Sequence, residues 1–113
     1  MKVLVCGSRT WPSYAIIRAR LDRFSRETTT IIHGGAPGAD SMAAKAARTL
    51  GFKRVIEFPA DWEALGRSAG IQRNLVMLDQ QPDLVLAFWS GSSPGTQHTI
   101  SEAKKRGIKV EVW

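Results

Sequence analysis

The sequence predicts an α/β fold: a parallel sheet of five strands in the order 3-2-1-4-5, with helices on both faces. Three observations carry this reading. Short β-type runs, Val3-Leu4-Val5 and Thr28-Thr29-Thr30-Ile31-Ile32 among them, alternate strictly with segments whose apolar residues recur every three or four positions. Leu84-Val85-Leu86-Ala87-Phe88 is a continuous apolar run, as expected of a central strand covered on both faces. The polar, glycine-rich stretches follow strands rather than helices, so right-handed crossovers gather them at one edge of the sheet.

In chain order, Lys2 to Cys6 is the first strand and Gly7-Ser8-Arg9-Thr10-Trp11-Pro12 its exit loop. Tyr14, Ile17, Leu21 and Phe24 mark the apolar stripe of an amphipathic helix, with Arg18, Arg20 and Arg23 on its other faces. The second strand runs into His33-Gly34-Gly35-Ala36-Pro37-Gly38-Ala39-Asp40. A second helix follows from Ser41 to Leu50, packed through Met42, Ala43, Ala46, Ala47 and Leu50, with Gly51 as its left-handed cap. The third strand, Arg54 to Phe58, ends at Pro59-Ala60-Asp61-Trp62. Glu63 to Gly70 is too broken by glycine for one firm helix, whereas Ile71, Leu75 and Leu78 line a helix that stops before Pro82. After the fourth strand come Trp89 to Thr96, a helix with Ile100 and Ala103 on its inner face, a stop at Gly107, and a last strand from Ile108 to Val112.

The 113 residues, 43% of them hydrophobic, form one domain over 1–113 with no repeat, linker or low-complexity segment. No apolar run reaches membrane-spanning length, and Met1-Lys2 leads straight into a strand, so neither a signal peptide nor a membrane partner is expected. The single cysteine, Cys6, cannot form an internal disulfide, and a cytoplasmic setting follows. Sixteen Lys and Arg against ten Asp and Glu give a formal charge of +6 and a pI near 10.1, which invites a nucleic-acid reading. Its placement argues otherwise: Lys53 and Arg54 follow the second helix and Lys104, Lys105 and Arg106 close the last, where cations complement the helix dipole. Arg9, Arg67 and Arg73 matter more, because each lies in or beside a loop leading from a strand toward a helix.

Strand order 3-2-1-4-5 places a crevice between the first and fourth strands, walled by Gly7 to Trp11 and Ser90 to Thr96, with the His33 to Asp40 loop alongside. Gly34, Gly35 and Gly38 let the backbone turn tightly, and the free N–H groups and dipole of the following helix favour an anion, phosphate first. Trp11, Trp62 and Trp89 fall just past strand ends, where they either stack on a base or cover the rim of the core. His33 either bonds a phosphate or ribose or caps its own loop. Asp40 is a helix cap or a ribose ligand. Asp61 has no apparent capping duty, which favours a sugar hydroxyl. His33, His98 and Cys6 lack metal-ligand spacing, and Ser92 and Ser93 lack a paired base. No metal or cofactor is expected.

Gly7-Ser8-Arg9-x-Trp11, His33-Gly34-Gly35-Ala36-x-Gly38-Ala39-Asp40, Pro59-Ala60-Asp61-Trp62, Ala69-Gly70-x-x-Arg73-Asn74-x-x-Met77 and Ser93-x-Gly95-Thr96 together resemble the YspA-type, cpYpsA-related branch of the SLOG superfamily. The motifs keep their order over nearly the whole chain. The resemblance implies a Rossmann-like domain that binds nucleotides, nucleotide sugars or NAD-derived molecules, in a superfamily that includes LOG phosphoribohydrolases, DNA-binding DprA proteins and ligand-sensing antiviral domains. A small member, phage-encoded ones included, would capture such signals as a sensor or sequestering module.

The resemblance also implies that Arg73 stands at a glycosidic centre and that Gly95-Thr96 match the Gly-Thr of the LOG pattern. Thr99 then occupies the position of the LOG catalytic glutamate. A threonine is no general base near neutral pH, so the pattern leans away from an enzyme, with Glu102 one helical turn on as the substitute carboxylate. The leading expectation is a module that binds a phosphorylated nucleotide or an ADP-ribose-like or NAD-like molecule. It would do so through Gly7, Ser8, Arg9, Trp11, His33, Gly34, Gly35, Gly38, Asp40, Asp61, Trp62, Arg73, Asn74, Ser90, Gly91, Ser92, Ser93, Gly95 and Thr96. The alternatives are an N-glycosidase using Arg73 with Asp61 or Glu102, and a single-stranded nucleic-acid binder. The enzyme relatives imply a homodimer or higher homo-oligomer.

Overall fold

The computed structural model describes residues 1–91 and 93–113; Ser92 and the side chain of Arg67 lie outside the described residues. Five strands, β1 (Lys2–Gly7), β2 (Thr30–His33), β3 (Arg54–Glu57), β4 (Leu84–Phe88) and β5 (Lys109–Val112), pair in the order β3-β2-β1-β4-β5. Every pairing is parallel, with Val3 opposite both Ile31 and Leu84. The connections carry α1 (Tyr14–Leu21), α2 (Ala39–Leu50), α3 (Trp62–Leu65), a 3-10 turn (Gly66–Ser68), α4 (Ala69–Asp79) and α5 (Pro94–Lys105). This is the Rossmann-like arrangement and strand order that the sequence predicts.

Alternation along the central strands divides the core in two. Val3 and Val5 of β1 face Ile17, Leu21, Ala43, Ala46 and Ala47 of α1 and α2. Leu4 and Cys6 face Met77, Leu78, Ile100 and Ala103 of α4 and α5. All five residues of β4 are buried, and each large aliphatic covered in this way contributes roughly 1.5–3 kcal/mol. Ala39, Ala43, Ala46 and Ala47 of α2 are fully buried because that face of the helix lies close on the sheet.

The helix ends show local chemistry. Ser13 Oγ accepts from Ile16 N at 3.3 Å to start α1, and Gly51 closes α2 at φ 85°. The first helix stops at Leu21, earlier than its apolar period suggests. Phe24 still packs on the same core from the turn beyond, where the Arg26 guanidinium donates to the carbonyls of Phe24 and Leu50. α2 begins at Ala39, two residues before Ser41, because Gly38 takes φ 87° and turns the chain directly into the helix. α4 likewise starts at Ala69, which anchors it at zero exposure, so its buried stripe is Ala69, Asn74, Met77 and Leu78. Ile71, expected on that stripe, is 42% exposed. Among the described residues no helix is long and apolar enough to cross a membrane.

Candidate functional site

The carboxyl edge of the sheet is fastened by one short stretch, Gly7-Ser8. A Cβ on Gly7 would collide with the carbonyl oxygen of Phe88 and the side chain of Ala39, so only glycine lets β1, β4 and α2 meet there. Ser8 is buried and holds three neighbours at once. Its N–H donates to Phe88 O at 2.9 Å, its Oγ accepts from Ser90 N at 2.9 Å, and its carbonyl accepts from Ala39 N at 3.1 Å. The chain leaves this knot with Arg9 at the surface, and among the described residues the Arg9 side chain has no hydrogen-bond or ion-pair partner.

The β2–α2 loop, which the sequence nominates as a phosphate cradle, has spent three of its amides on its own loop. Gly34 N and Ala36 N donate to Asp40 Oδ2 at 3.1 and 3.4 Å, and Gly35 N donates to His33 Nδ1 at 3.0 Å. Ser41 N and Oγ both reach Ala36 O. Asp40 therefore does not cap α2, whose N-cap is Gly38 with no side-chain bond. It reaches backward and fills the loop with a carboxylate. Gly34 makes room for the Arg73 guanidinium, which donates to Gly34 O at 2.6 Å and to Asn74 Oδ1 at 2.8 Å. Gly35, at φ 71°, lies against the carboxyl group of Glu57.

This packing sets the local electrostatics. Burial pushes the Asp40 carboxyl up to about 6, against the opposing pull of Arg73 and of its two backbone donors, with Glu57 adding to the rise. Burial holds the His33 imidazole below its ordinary value, outweighing the nearby Glu57 carboxylate. Burial also lifts the Cys6 thiol far above the usual thiol range, so it stays protonated.

Between these loops and the start of α5 lies a cleft of about 460 Å³, a volume suited to a nucleotide-sized ligand. Cys6, Gly7, Ser8, Arg9 and Thr10 line it from the end of β1 and its exit loop. Arg73, Asn74, Ile71 and Trp62 come from α4 and α3, and Ser93, Gly95, Thr96 and Thr99 from the first turns of α5. Ser93 caps α5, its Oγ accepting from Thr96 N at 3.4 Å and lying 3.0 Å from Thr96 Oγ1, with Pro94 at the first helical position. A Cβ on Gly95 would meet nothing within 4 Å, so the backbone there is open to the cleft. The indole of Trp62 is half exposed beside it.

Of the residues singled out in the sequence, Gly7, Ser8, Arg9, Asp40, Trp62, Arg73, Asn74, Ser93, Gly95 and Thr96 line this one cleft. Others do not. Gly34, Gly35 and Gly38 stand behind it and serve loop packing, and His33 is buried as an acceptor within its loop. Trp11 packs edge-on against Phe88 at 5.5 Å between ring centres and donates Nε1 to Ser13 O. Asp61 does have a capping duty, contrary to expectation: its Oδ1 accepts from Ala64 N at 3.0 Å at the start of α3. Glu102 pairs with Arg106 at 3.3 Å, away from the cleft. Ser90 and Gly91 lie outside the lining, and Ser92 lies outside the described residues. Thr10, Ile71 and Thr99 line the cleft as well. The Thr99 hydroxyl is turned back onto Gly95 O at 3.0 Å.

Fold and cleft together define a Rossmann-like α/β domain with its pocket at the carboxyl edge of a parallel sheet, where such sheets bind ligands. The chain belongs to the YspA, cpYpsA-related SLOG family, whose model (YAcAr) matches residues 1–65. It is 40% identical over 116 residues to Gene 61 protein of Mycobacterium phage D29, covering 96% of this chain and 93% of that protein. No solved structure matches the chain. The family match spans β1 to α3 and so takes in the Gly7-Ser8 knot and the Asp40-filled loop. Arg73, Asn74 and the α5 start come from the other half.

Proposed function

We propose that this protein binds a phosphorylated nucleotide or a nucleotide-derived small molecule of the ADP-ribose or NAD kind, as a sensor or sequestering module. The observation that carries the reading is the convergence of two arginines, an open helix start and one exposed indole on a single cleft. The phosphate sits at the first turn of α5, where Gly95 leaves the backbone open, Ser93 and Thr96 supply hydroxyls, and Arg9 supplies a positive charge with no partner among the described residues. The base stacks on Trp62. Arg73 and Asn74, which hold one another, offer their remaining donors to the ribose.

Calorimetric titration of the full chain with AMP, ADP-ribose and NAD tests this. Saturable binding that weakens at least about tenfold in Arg9→Ala supports it; no heat from any of the three at millimolar concentration overturns it.

A second reading, N-glycoside hydrolysis, rests on Asp40. It is the one carboxylate lining the cleft among the described residues, and its pKa near 6 suits a general base. Release of free base from nucleoside monophosphates or NAD on prolonged incubation supports hydrolysis, and unchanged nucleotide exclude it.

A further inference from the structure

We infer that Asp40 is a selectivity residue: its carboxylate occupies the glycine-rich loop where a second phosphate would sit, and so restricts the cleft to ligands carrying one phosphate group. The inference rests on the nucleotide reading and narrows it, favouring nucleoside monophosphates over ADP-ribose and dinucleotides.

The argument begins with donors. A diphosphate bridging the two sides of the crevice needs free N–H groups on both. On the α5 side Gly95 is open. On the β2–α2 side the amides of Gly34, Gly35 and Ala36 are already bonded to Asp40 or His33, and Pro37 has none to give. A phosphate that used the Gly34 and Ala36 amides would have to displace a buried carboxylate from both of them.

Charge points the same way. The groups that act on Asp40 are Glu57 from β3 and Arg73 from α4, with the Cys6 thiol of β1 beside it. The Cys6 thiol is uncharged at neutral pH, so the charges at Asp40 itself are two carboxylates, its own and that of Glu57, against the one guanidinium of Arg73, with Arg48 and Arg9 further off. Arg73 is moreover already bound to Gly34 O. A second phosphate seated beside Asp40 would be repelled by that buried carboxylate at close range, in a poorly solvated corner where like charges interact strongly.

The test is titration of AMP, ADP and ADP-ribose into the wild type, Asp40→Asn and Glu57→Gln at pH 7.5. The wild type should bind AMP at least about tenfold more tightly than ADP or ADP-ribose. Asp40→Asn keeps an acceptor oxygen for the loop but loses the charge, and should close that gap to about threefold or less. Glu57 is exposed and, among the described residues, makes no side-chain hydrogen bond or ion pair, so Glu57→Gln folds irrespective of Asp40 and should narrow the gap by about twofold. Wild-type preference for ADP or ADP-ribose, or a gap unchanged in both variants, overturns the inference while leaving nucleotide binding intact. Failure of all three ligands to bind removes the nucleotide reading itself and this inference with it.

Discussion

Asp40→Asn should make the protein more stable at neutral pH, although it alters a buried, twice-bonded side chain. The native carboxyl is pushed from its ordinary 3.8 to about 6, chiefly by burial. A folded-state pKa above the unfolded one means that the native chain holds the proton more tightly. The associated stability is fully present below pH 3.8 and is lost as the pH rises through 6. A displacement of two pKa units corresponds to about 3 kcal/mol. Asp40 is only 5% exposed, so solvent screening removes little of this. Asparagine keeps an acceptor for Gly34 N and Ala36 N and never ionises, while its new amide donor can face the cleft. The difference, variant minus wild type, should therefore be small at pH 3.5, open between pH 4 and 6.5, and reach about 2–3 kcal/mol at pH 7.5. For a chain of 113 residues, that is a rise in Tm of about 8–12 °C. Thermal and urea unfolding of both proteins across this range measures it directly. A difference independent of pH, or a variant less stable at pH 7.5, would refute the assignment of Asp40 as a buried, reluctantly ionised group.

Three further outcomes follow from neighbouring contacts. His33 is held neutral, with its folded pKa below 6.5, so its contribution is present above that value and is lost on acidification. The stability of the wild type relative to His33→Gln, from urea midpoints, should be greater at pH 7.5 than at pH 5.5, because both proteins share the Asp40 titration and protonation of His33 also takes away the Nδ1 acceptor used by Gly35 N. Gly7→Ala should cost about 2 kcal/mol or more by driving a methyl into Phe88 and Ala39, whereas Gly95→Ala should leave the Tm within about 3 °C and instead weaken AMP binding. Arg73→Lys cannot span both Gly34 O and Asn74 Oδ1, and should cost about 1–2 kcal/mol in urea unfolding together with a loss of AMP affinity.

The framework of the fold was legible because its signals are one-dimensional. Leu84–Phe88 announces a strand buried on both faces and is one, and the alternation Val3, Leu4, Val5, Cys6 divides the two cores as strand geometry requires. Element ends were less legible because they depend on contacts distant in sequence. Phe24 continues a helical period after the helix has stopped, since the chain turns there and still presents the ring to the same core. Ala69 starts α4 with no exposed area, an anchor that no spacing of large residues reveals. The cap at Asp61 was available in principle: an aspartate three residues before Ala64, at the head of Trp62–Leu65, is an ordinary helix start. It was masked because a four-residue helix has no periodicity to mark it.

The site itself shows what a glycine-rich motif does and does not say. Glycines in a strand-to-helix turn report that the backbone is closely approached; they do not report by what. In His33 to Asp40 the approaching groups are Arg73 at Gly34, Glu57 at Gly35 and the Arg9 backbone at Gly38, all from this chain. The motif also carries its own anion six residues after its first glycine, and that carboxylate takes the amides a phosphate would need. Donor supply can be read from sequence, whereas donor availability depends on where every nearby acceptor falls. Once Asp40 has taken the Gly34 and Ala36 amides, the attraction for an external anion passes to the first turn of α5, where an added Cβ on Gly95 would meet nothing among the described residues. The Gly7-Ser8 knot acquires its importance from the same division of labour: it fixes a loop closed by its own carboxylate beside a helix start left open, so that one cleft has one receptive side.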